Sequence, residues 1–268
     1  ALIAFAPSQP DYAVVPVDDE GMQTDRLEGI LAAQPRVKMI YTIPDFQNPT
    51  GVTLSLERRK ALIALANRHD LIVLEDTPYR HIRFAGHNLP TLKSLDTEGR
   101  VIHLGSFSKI LVPGMRIGWA VANPDLLSRM GQLKVAADTQ TSTLNMAAAS
   151  LFLDRYDLNA HIATLRAAYA IKKEAMLDAI RRHFPQEIMA TDPQGGLFTW
   201  LTFPEGFDAT EFMRHVALPE ARVAYVPGAT FFPLTPRANH ARLNFSAPSL
   251  AAIETGIAAL GRALKTHL

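Results

Sequence analysis

Val101-Ile-His-Leu-Gly-Ser-Phe-Ser-Lys109 passes from an aliphatic run straight into a cluster of hydroxyls ending on a lysine. The run is one of four. Met39 to Ile43, Leu71 to Leu74, Val101 to Leu104 and Gly118 to Ala122 are short, rich in Ile, Val and Leu, and lack polar alternation. That is the pattern of strands in a sheet covered on both faces. Between the first two, Leu56 to His69 has helical spacing. It places Ala61, Leu62, Leu65 and Ala66 on one side and Arg58, Arg59 and Arg68 elsewhere, with Ser55 as N-cap. Strand, helix, strand in that order predicts a right-handed crossover and a mostly parallel sheet.

Farther along, the pattern changes. A long helix is expected from about Asn159 to His183, ended by Pro185. Strands follow at Leu197 to Phe203, Arg222 to Val226 and Ala241 to Phe245, then a terminal helix from about Leu250 to Leu264. The expected fold is therefore α/β. A three-layer, mostly parallel unit spans residues 1–157 and a smaller α+β unit spans 158–268, with the boundary between Arg155 and Asn159.

The chain has 268 residues, 48% hydrophobic and 20% charged, with net charge +1. That supplies a real core and offers no polybasic surface for nucleic acid. No cysteine is present, which excludes disulfides, thiolate metal sites and cysteine nucleophiles. No run approaches the roughly 18 apolar residues of a membrane span, and a cytoplasmic setting is expected. The first residue is Ala1 rather than Met, so the chain reads as a piece of a longer protein.

Three polar clusters sit directly after three expected parallel strands: Pro44 to Gly51, Glu75 to Arg80, and Gly105 to Lys109 with Pro113 to Arg116. In open α/β sheets ligands bind at the carboxyl ends of strands, so the clusters should converge on one crevice. They offer an amine, carboxylates, a phenol, an amide, hydroxyls and a guanidinium. Neither a nucleophile elbow nor a GxxxxGK[ST] phosphate loop is present. A lysine with a carboxylate, serines and an arginine suits a phosphorylated pyridine cofactor. Such a cofactor needs an imine-forming amine, an acid at its ring nitrogen and a phosphate cup. Lys109 is the one lysine that ends a buried strand inside a serine cluster. Asp76 follows an aliphatic strand, where a carboxylate is costly unless paired, although Glu75 stands beside it. By sequence alone Tyr79 reads better as a core or rim aromatic, and Asn48 reads equally as a turn residue. Arg242, inside an apolar strand, calls for an anionic partner.

Asn48-Pro49-Thr50-Gly51, Asp76-x-x-Tyr79, Ser106-x-Ser108-Lys109, Arg116, Pro227-Gly228-x-x-Phe231 and Arg242-Leu-Asn-Phe245-Ser246 occur in order along the chain. Together they resemble the class I/II aminotransferases of fold type I, most closely the 2-aminoadipate and kynurenine aminotransferase branch. The resemblance implies pyridoxal 5'-phosphate as cofactor, held through Lys109. It implies Asp76 at the ring nitrogen, Asn48 and Tyr79 at the ring oxygen, and Ser106, Ser108 and Arg116 at the phosphate. Arg242, with Asn48, would hold the substrate carboxylate. The implied reaction moves an amino group from an amino acid to a 2-oxo acid, 2-oxoglutarate above all, in two half-reactions, with Lys109, Asp76 and Tyr79 as the catalytic groups. A homodimer with its site near the subunit interface is implied too. Two other readings share the fold: a sensor domain of a transcription regulator, and a lyase or decarboxylase using the same cofactor. The sequence departs from the family in two places. Only 47 residues precede Asn48, so the upstream phosphate loop and ring-stacking aromatic are absent from this sequence, and Thr77 stands where acidic residues are common.

Overall fold

The computed structural model describes residues 1–268. Its first sheet holds β1 (Met39–Thr42), β2 (Ile72–Asp76), β3 (Val101–Ser106) and β4 (Gly118–Val121), in that spatial order. β1, β2 and β3 run parallel, with Thr42 opposite Glu75 and Asp76 opposite Leu104. α1 (Thr24–Ala33) and α2 (Leu56–Arg68) cover one face. Leu27 and Leu31 of α1 and Leu62, Ile63 and Ala66 of α2 pack with Ile40, Val73 and Val101 of the strands into one core.

Several expectations are corrected here. β4 is neither parallel nor covered. It pairs antiparallel with β3, Ser106 opposite Gly118, and its Trp119 and Val121 are exposed. The link from Phe107 to Ile117 is too short for a parallel crossover, which needs a dozen or more residues, so the chain turns back on itself. Arg59 does not face away from the core: it is fully buried. Ser55 occupies the N-cap position of α2, yet its hydroxyl makes no capping bond and is buried without a partner.

α3 (Pro124–Asp138) and α4 (Thr143–Arg155) follow β4 and leave Leu133, Val135, Leu144, Met146 and Leu151 exposed. α5 (Leu158–His183) then leads to a second, antiparallel sheet. This contains β5 (Met189–Ala190), β6 (Phe198–Thr202), β7 (Val226–Pro227) and β8 (His240–Asn244), ordered β5-β6-β8-β7. The strand expected from Arg222 shrinks to Val226–Pro227. Arg222 itself adopts φ 55° and closes the helical segment Met213–Ala221, and ladder pairing begins only at Val226. The terminal helix α6 (Leu250–His267) runs past Leu264. Its Ile253, Ile257, Leu260 and Leu264 are buried at helical spacing against Met176 and Ile180 of α5 and Leu201 and Leu243 of the sheet. A Cβ on Gly261 would come within 2.6 Å of the His183 carbonyl, so glycine lets α6 lie against the end of α5. No helix is long and apolar enough to cross a membrane.

A third apolar cluster joins the two sheets. It holds Ile43, Phe46, Tyr79, Ile82 and Ile110 from the first sheet's side, with Ile162 of α5 and Leu197 and Phe198 of the second. The site described next lies around this cluster.

Candidate active site

Asp76 ends β2, half-buried, with one carboxylate oxygen accepting a hydrogen bond from the Tyr41 hydroxyl of β1 at 2.8 Å. Burial raises its carboxyl above the ordinary value, while the Tyr41 bond and the nearby His103 oppose the rise. Burial, and the Asp76 charge beside it, push the Tyr41 phenol up in turn. Three residues on, Tyr79 is 5% exposed and meets Phe198 edge-on, ring centroids 5.6 Å apart. Burial pushes its phenol up to about 12, with the Arg242 charge pulling the other way.

Asn48 sits in the turn after β1. The turn closes because Gly51 takes φ 78° and donates its amide to the Gln47 carbonyl at 2.6 Å. A Cβ on Gly51 would meet Pro193 at 2.9 Å, so the turn docks on the loop before β6. From the other sheet, Arg242 donates from Nη1 to Asn48 Oδ1 at 2.6 Å. The alternation of β8 explains its reach: Ala241, Leu243 and Phe245 fill the core of the second unit, so Arg242 projects from the opposite face. Its guanidinium carbon lies 4.0 Å from the centre of the Phe198 ring and 5.2 Å from that of Phe231. Nε is buried and has no hydrogen-bond partner. Burial lowers the arginine's pKa, and the Tyr79 phenol opposes this. A half-buried guanidinium with an orphaned donor is prepared for an anion.

Ser106 ends β3, and Phe107 to Leu111 form a tight turn. Ile110 is buried in the cluster with Phe46, Tyr79 and Phe198, and Phe107 packs on it. Those two anchors flank Ser108 and Lys109, which are half-buried. Ser106 Oγ accepts the Ser108 amide at 3.0 Å and approaches the Ile117 carbonyl at 3.4 Å. Arg116, exposed at φ 53°, donates only from Nη1, to the Pro113 carbonyl at 3.3 Å. The structure thus joins Asn48 directly to Arg242, sets Tyr79 and Asp76 beside them, and carries Ser106, Ser108, Lys109 and Arg116 on one loop of the same cluster.

The sequence reading missed three supports. Tyr41, the partner of Asp76, lay inside a strand read only as apolar. Glu75, fully buried, accepts from the amides of Leu92 and Lys93 at 2.7 and 3.0 Å and from His103 at 2.9 Å. Asp45, 1% exposed, gathers Arg59 at 2.7 Å, Arg80 at 2.9 Å and Arg83 at 3.8 Å beneath the Asn48 turn. The signal for Arg59 was available: it shares the helical phase of Leu62 and Ala66. Nothing local marked Asp45.

With this geometry in place, comparison with known proteins is informative. The family model for aminotransferase class I and II matches residues 10–260. Aromatic-amino-acid aminotransferase 1 of Thermococcus litoralis is 40% identical over 272 residues, covering 100% of this chain and 65% of that protein. The chain thus spans about two thirds of the length of such relatives. The crystal structure of a Pyrococcus horikoshii kynurenine aminotransferase, in complex with PMP, KYN and KYA, superposes with TM-score 0.96. It is 40% identical, with 100% of this chain and 67% of that one covered. An alpha-aminoadipate aminotransferase from Thermus thermophilus, complexed with N-(5'-phosphopyridoxyl)-L-leucine, gives TM-score 0.93 at 38% identity, covering 98% and 67%. The HTH-type transcriptional regulator TauR of Rhodobacter capsulatus is 35% identical over 94% of this chain and 50% of its own length.

Proposed function

Since the chain belongs to the class I and II aminotransferases, we propose that it forms the cofactor-binding and substrate-clamping part of a transaminase using pyridoxal 5'-phosphate. The observation that carries this reading is the Asn48–Arg242 bond between the two sheets, with the buried, unpartnered Nε of Arg242 beside it. In this reading the units divide at residues 157 and 158.

The residues fit the cofactor. Asp76 has one oxygen on Tyr41 and the other free to face a protonated ring nitrogen. Arg116 has spent one of its five donors, leaving the rest for phosphate oxygens beside Ser106 and Ser108. Asn48 accepts from Arg242 through Oδ1, so its amide hydrogens remain to meet the ring oxygen together with the Tyr79 hydroxyl. Tyr79 stays protonated at any working pH, because burial pushes it up to about 12.

Pyridoxal phosphate, when bound, supplies the electron sink that makes the α-hydrogen of an amino acid acidic. Every other task falls to the chain. Arg242 grips the α-carboxylate and fixes which face of the substrate meets Lys109. Freed when the substrate amine displaces it from the cofactor, the Lys109 amine would take the α-proton as base and give it back as acid. Asp76 would hold its carboxylate toward the ring nitrogen, which would favour the protonated, electron-accepting form of the cofactor. Water supplies the oxygen of the 2-oxo acid that leaves, the amino group stays with the cofactor, and the reverse sequence with a second oxo acid such as 2-oxoglutarate would complete transfer. The active form in this reading is a cytoplasmic homodimer with its active site near the subunit interface.

The test uses the full gene product. Loaded with cofactor and given amino acids singly without an acceptor, it should convert the cofactor to its aminated form and release the matching 2-oxo acid. Carbon dioxide or an elimination product in its place would make it a lyase or decarboxylase. The similarity to TauR supports a second reading, a sensor domain. Cofactor binding with no half-reaction, in a gene product that also binds DNA, would favour that reading.

A further inference from the structure

Glu75, His103 and Thr77 form a network behind Asp76, on the other face of β2. Glu75 lies opposite His103 in the β2–β3 register, and Asp76 opposite Leu104, so alternation sends Glu75 and Thr77 to one face and Asp76 to the other. Glu75 is fully buried, and His103 Nδ1 lies 2.9 Å from Glu75 Oε2. The carboxylate can only accept, so Nδ1 carries a hydrogen. His103 Nε2 lies 3.3 Å from Thr77 Oγ1. The single hydroxyl hydrogen of Thr77 has a nearer acceptor, the Leu104 carbonyl at 2.8 Å. With that hydrogen on the Leu104 carbonyl, the Thr77 oxygen is placed to accept a hydrogen from Nε2. An imidazole flanked by two acceptors in this way has a partner for a hydrogen on each ring nitrogen.

The identity of residue 77 matters to this count. An acidic side chain there would be a third carboxylate in a row after Glu75 and Asp76, drawing on the same imidazole. Threonine accepts the Nε2 hydrogen without adding charge. The other titratable or charged groups around His103 are Asp76 across the strand, His81 after β2, and Lys93, whose amine is engaged by Asp96 at 2.8 Å. Val121 lies opposite His103 on β4 and is apolar. Glu75 is the carboxylate within hydrogen-bond reach of this imidazole.

We propose that His103 is a positioning residue for Asp76: held as an imidazolium between Glu75 and Thr77, it neutralises the buried Glu75. Asp76 is thereby left as the single uncompensated carboxylate at the end of β2. The importance of Asp76 rests on the transaminase reading, but its environment can be measured without it. Without the imidazolium, the bare Glu75 charge one residue away would drive a proton onto Asp76, and the ring nitrogen would lose its partner.

The experiment follows the Asp76 carboxyl by carbon-13 NMR in the cofactor-free full gene product. His103→Gln should raise its titration midpoint by about one pH unit, a tenfold gain in proton affinity. His103→Gln combined with Glu75→Gln should bring the midpoint back most of the way, because both charges have gone. Damage to structure alone would make the double variant no better than the single. Nitrogen-15 shifts of His103 in the unaltered protein at pH 7 should show two protonated ring nitrogens. A neutral ring, an unmoved midpoint in the folded single variant, or a double variant as displaced as the single would each overturn the proposal. If His103→Gln does not fold, Thr77→Val replaces it: removing the Nε2 acceptor should drive His103 toward the neutral ring and raise the Asp76 midpoint in the same direction. None of these readings needs turnover, so failure of the transaminase assay would leave them standing.

Discussion

Arg242→Lys separates a substrate clamp from a scaffold arginine. Arg242 spends Nη1 on Asn48 Oδ1, lies against the rings of Phe198 and Phe231, and keeps Nε buried without a partner. A carboxylate arriving there would find two donors on one rigid plane. Lysine keeps the charge but has a single ammonium, which must serve either Asn48 or the substrate. The variant thus forfeits at least one charge-assisted hydrogen bond, worth about 1.5–3 kcal/mol, and with it the planar contact to two rings. At 1.4 kcal/mol per tenfold, substrate binding should weaken roughly 10- to 150-fold. Amino acid and 2-oxo acid should suffer alike, since both present a carboxylate. The assay is a single-turnover half-reaction followed by the cofactor absorbance, with the substrate concentration varied. The limiting rate should fall much less than the affinity, and the resting spectrum should not change, because the cofactor contacts proposed lie on the first sheet. Unchanged saturation in a folded variant would refute the reasoning. Global unfolding would assign Arg242 to the scaffold.

Four further outcomes are expected. Borohydride reduction of the cofactor-loaded full protein should fix the pyridoxyl label on Lys109; label on Lys93 or Lys38 would move the site. Asp76→Asn should slow the chemical step by roughly 10²–10³, the cost of removing one preorganised electrostatic contact, while the cofactor still binds; near-normal turnover would assign the role to another group. The same variant carries a stability signature. Burial raises the Asp76 carboxyl above its unfolded value, so its contribution is present below the ordinary carboxylate pKa and lost as pH rises through the folded value. Cofactor-free Asp76→Asn should therefore melt higher than the parent at pH 8 and not at pH 4, and equal shifts at both would contradict the burial argument. Asp45→Ala should cost about 3–5 kcal/mol in urea unfolding, because it strands buried arginines without their carboxylate; a loss under about 1 kcal/mol would mean that the carbonyls around Arg59 suffice.

The three parallel strands and the polar clusters at their ends were legible in the sequence because both are local patterns. A β-branched run and the residues just after it do not depend on what packs against them. The same holds for α5 and α6, whose apolar spacing persists over many turns. Arg242 could be singled out because a cation in an apolar strand is conspicuous without any partner in view. What the sequence left open was whatever depends on two segments meeting. The direction of β4 was set by the short link before it and by Trp119 lying against Phe107, not by its own residues. The Asn48–Arg242 bond joins positions 194 residues apart. Tyr41 reaches Asp76, and His103 reaches Glu75, only because the strands pair in one register, and register is a property of the assembled sheet. Arg59 is held by Asp45 and several carbonyls; its helical phase with Leu62 and Ala66 pointed to burial but named none of those partners. Which groups stand at the strand ends follows from chain order and local pattern, and both are written in the residues themselves. Which of those groups touch, and so which charges are paired and which are left free for a ligand, follows only from folding, because burial and counter-charge belong to the assembled neighbours of a residue.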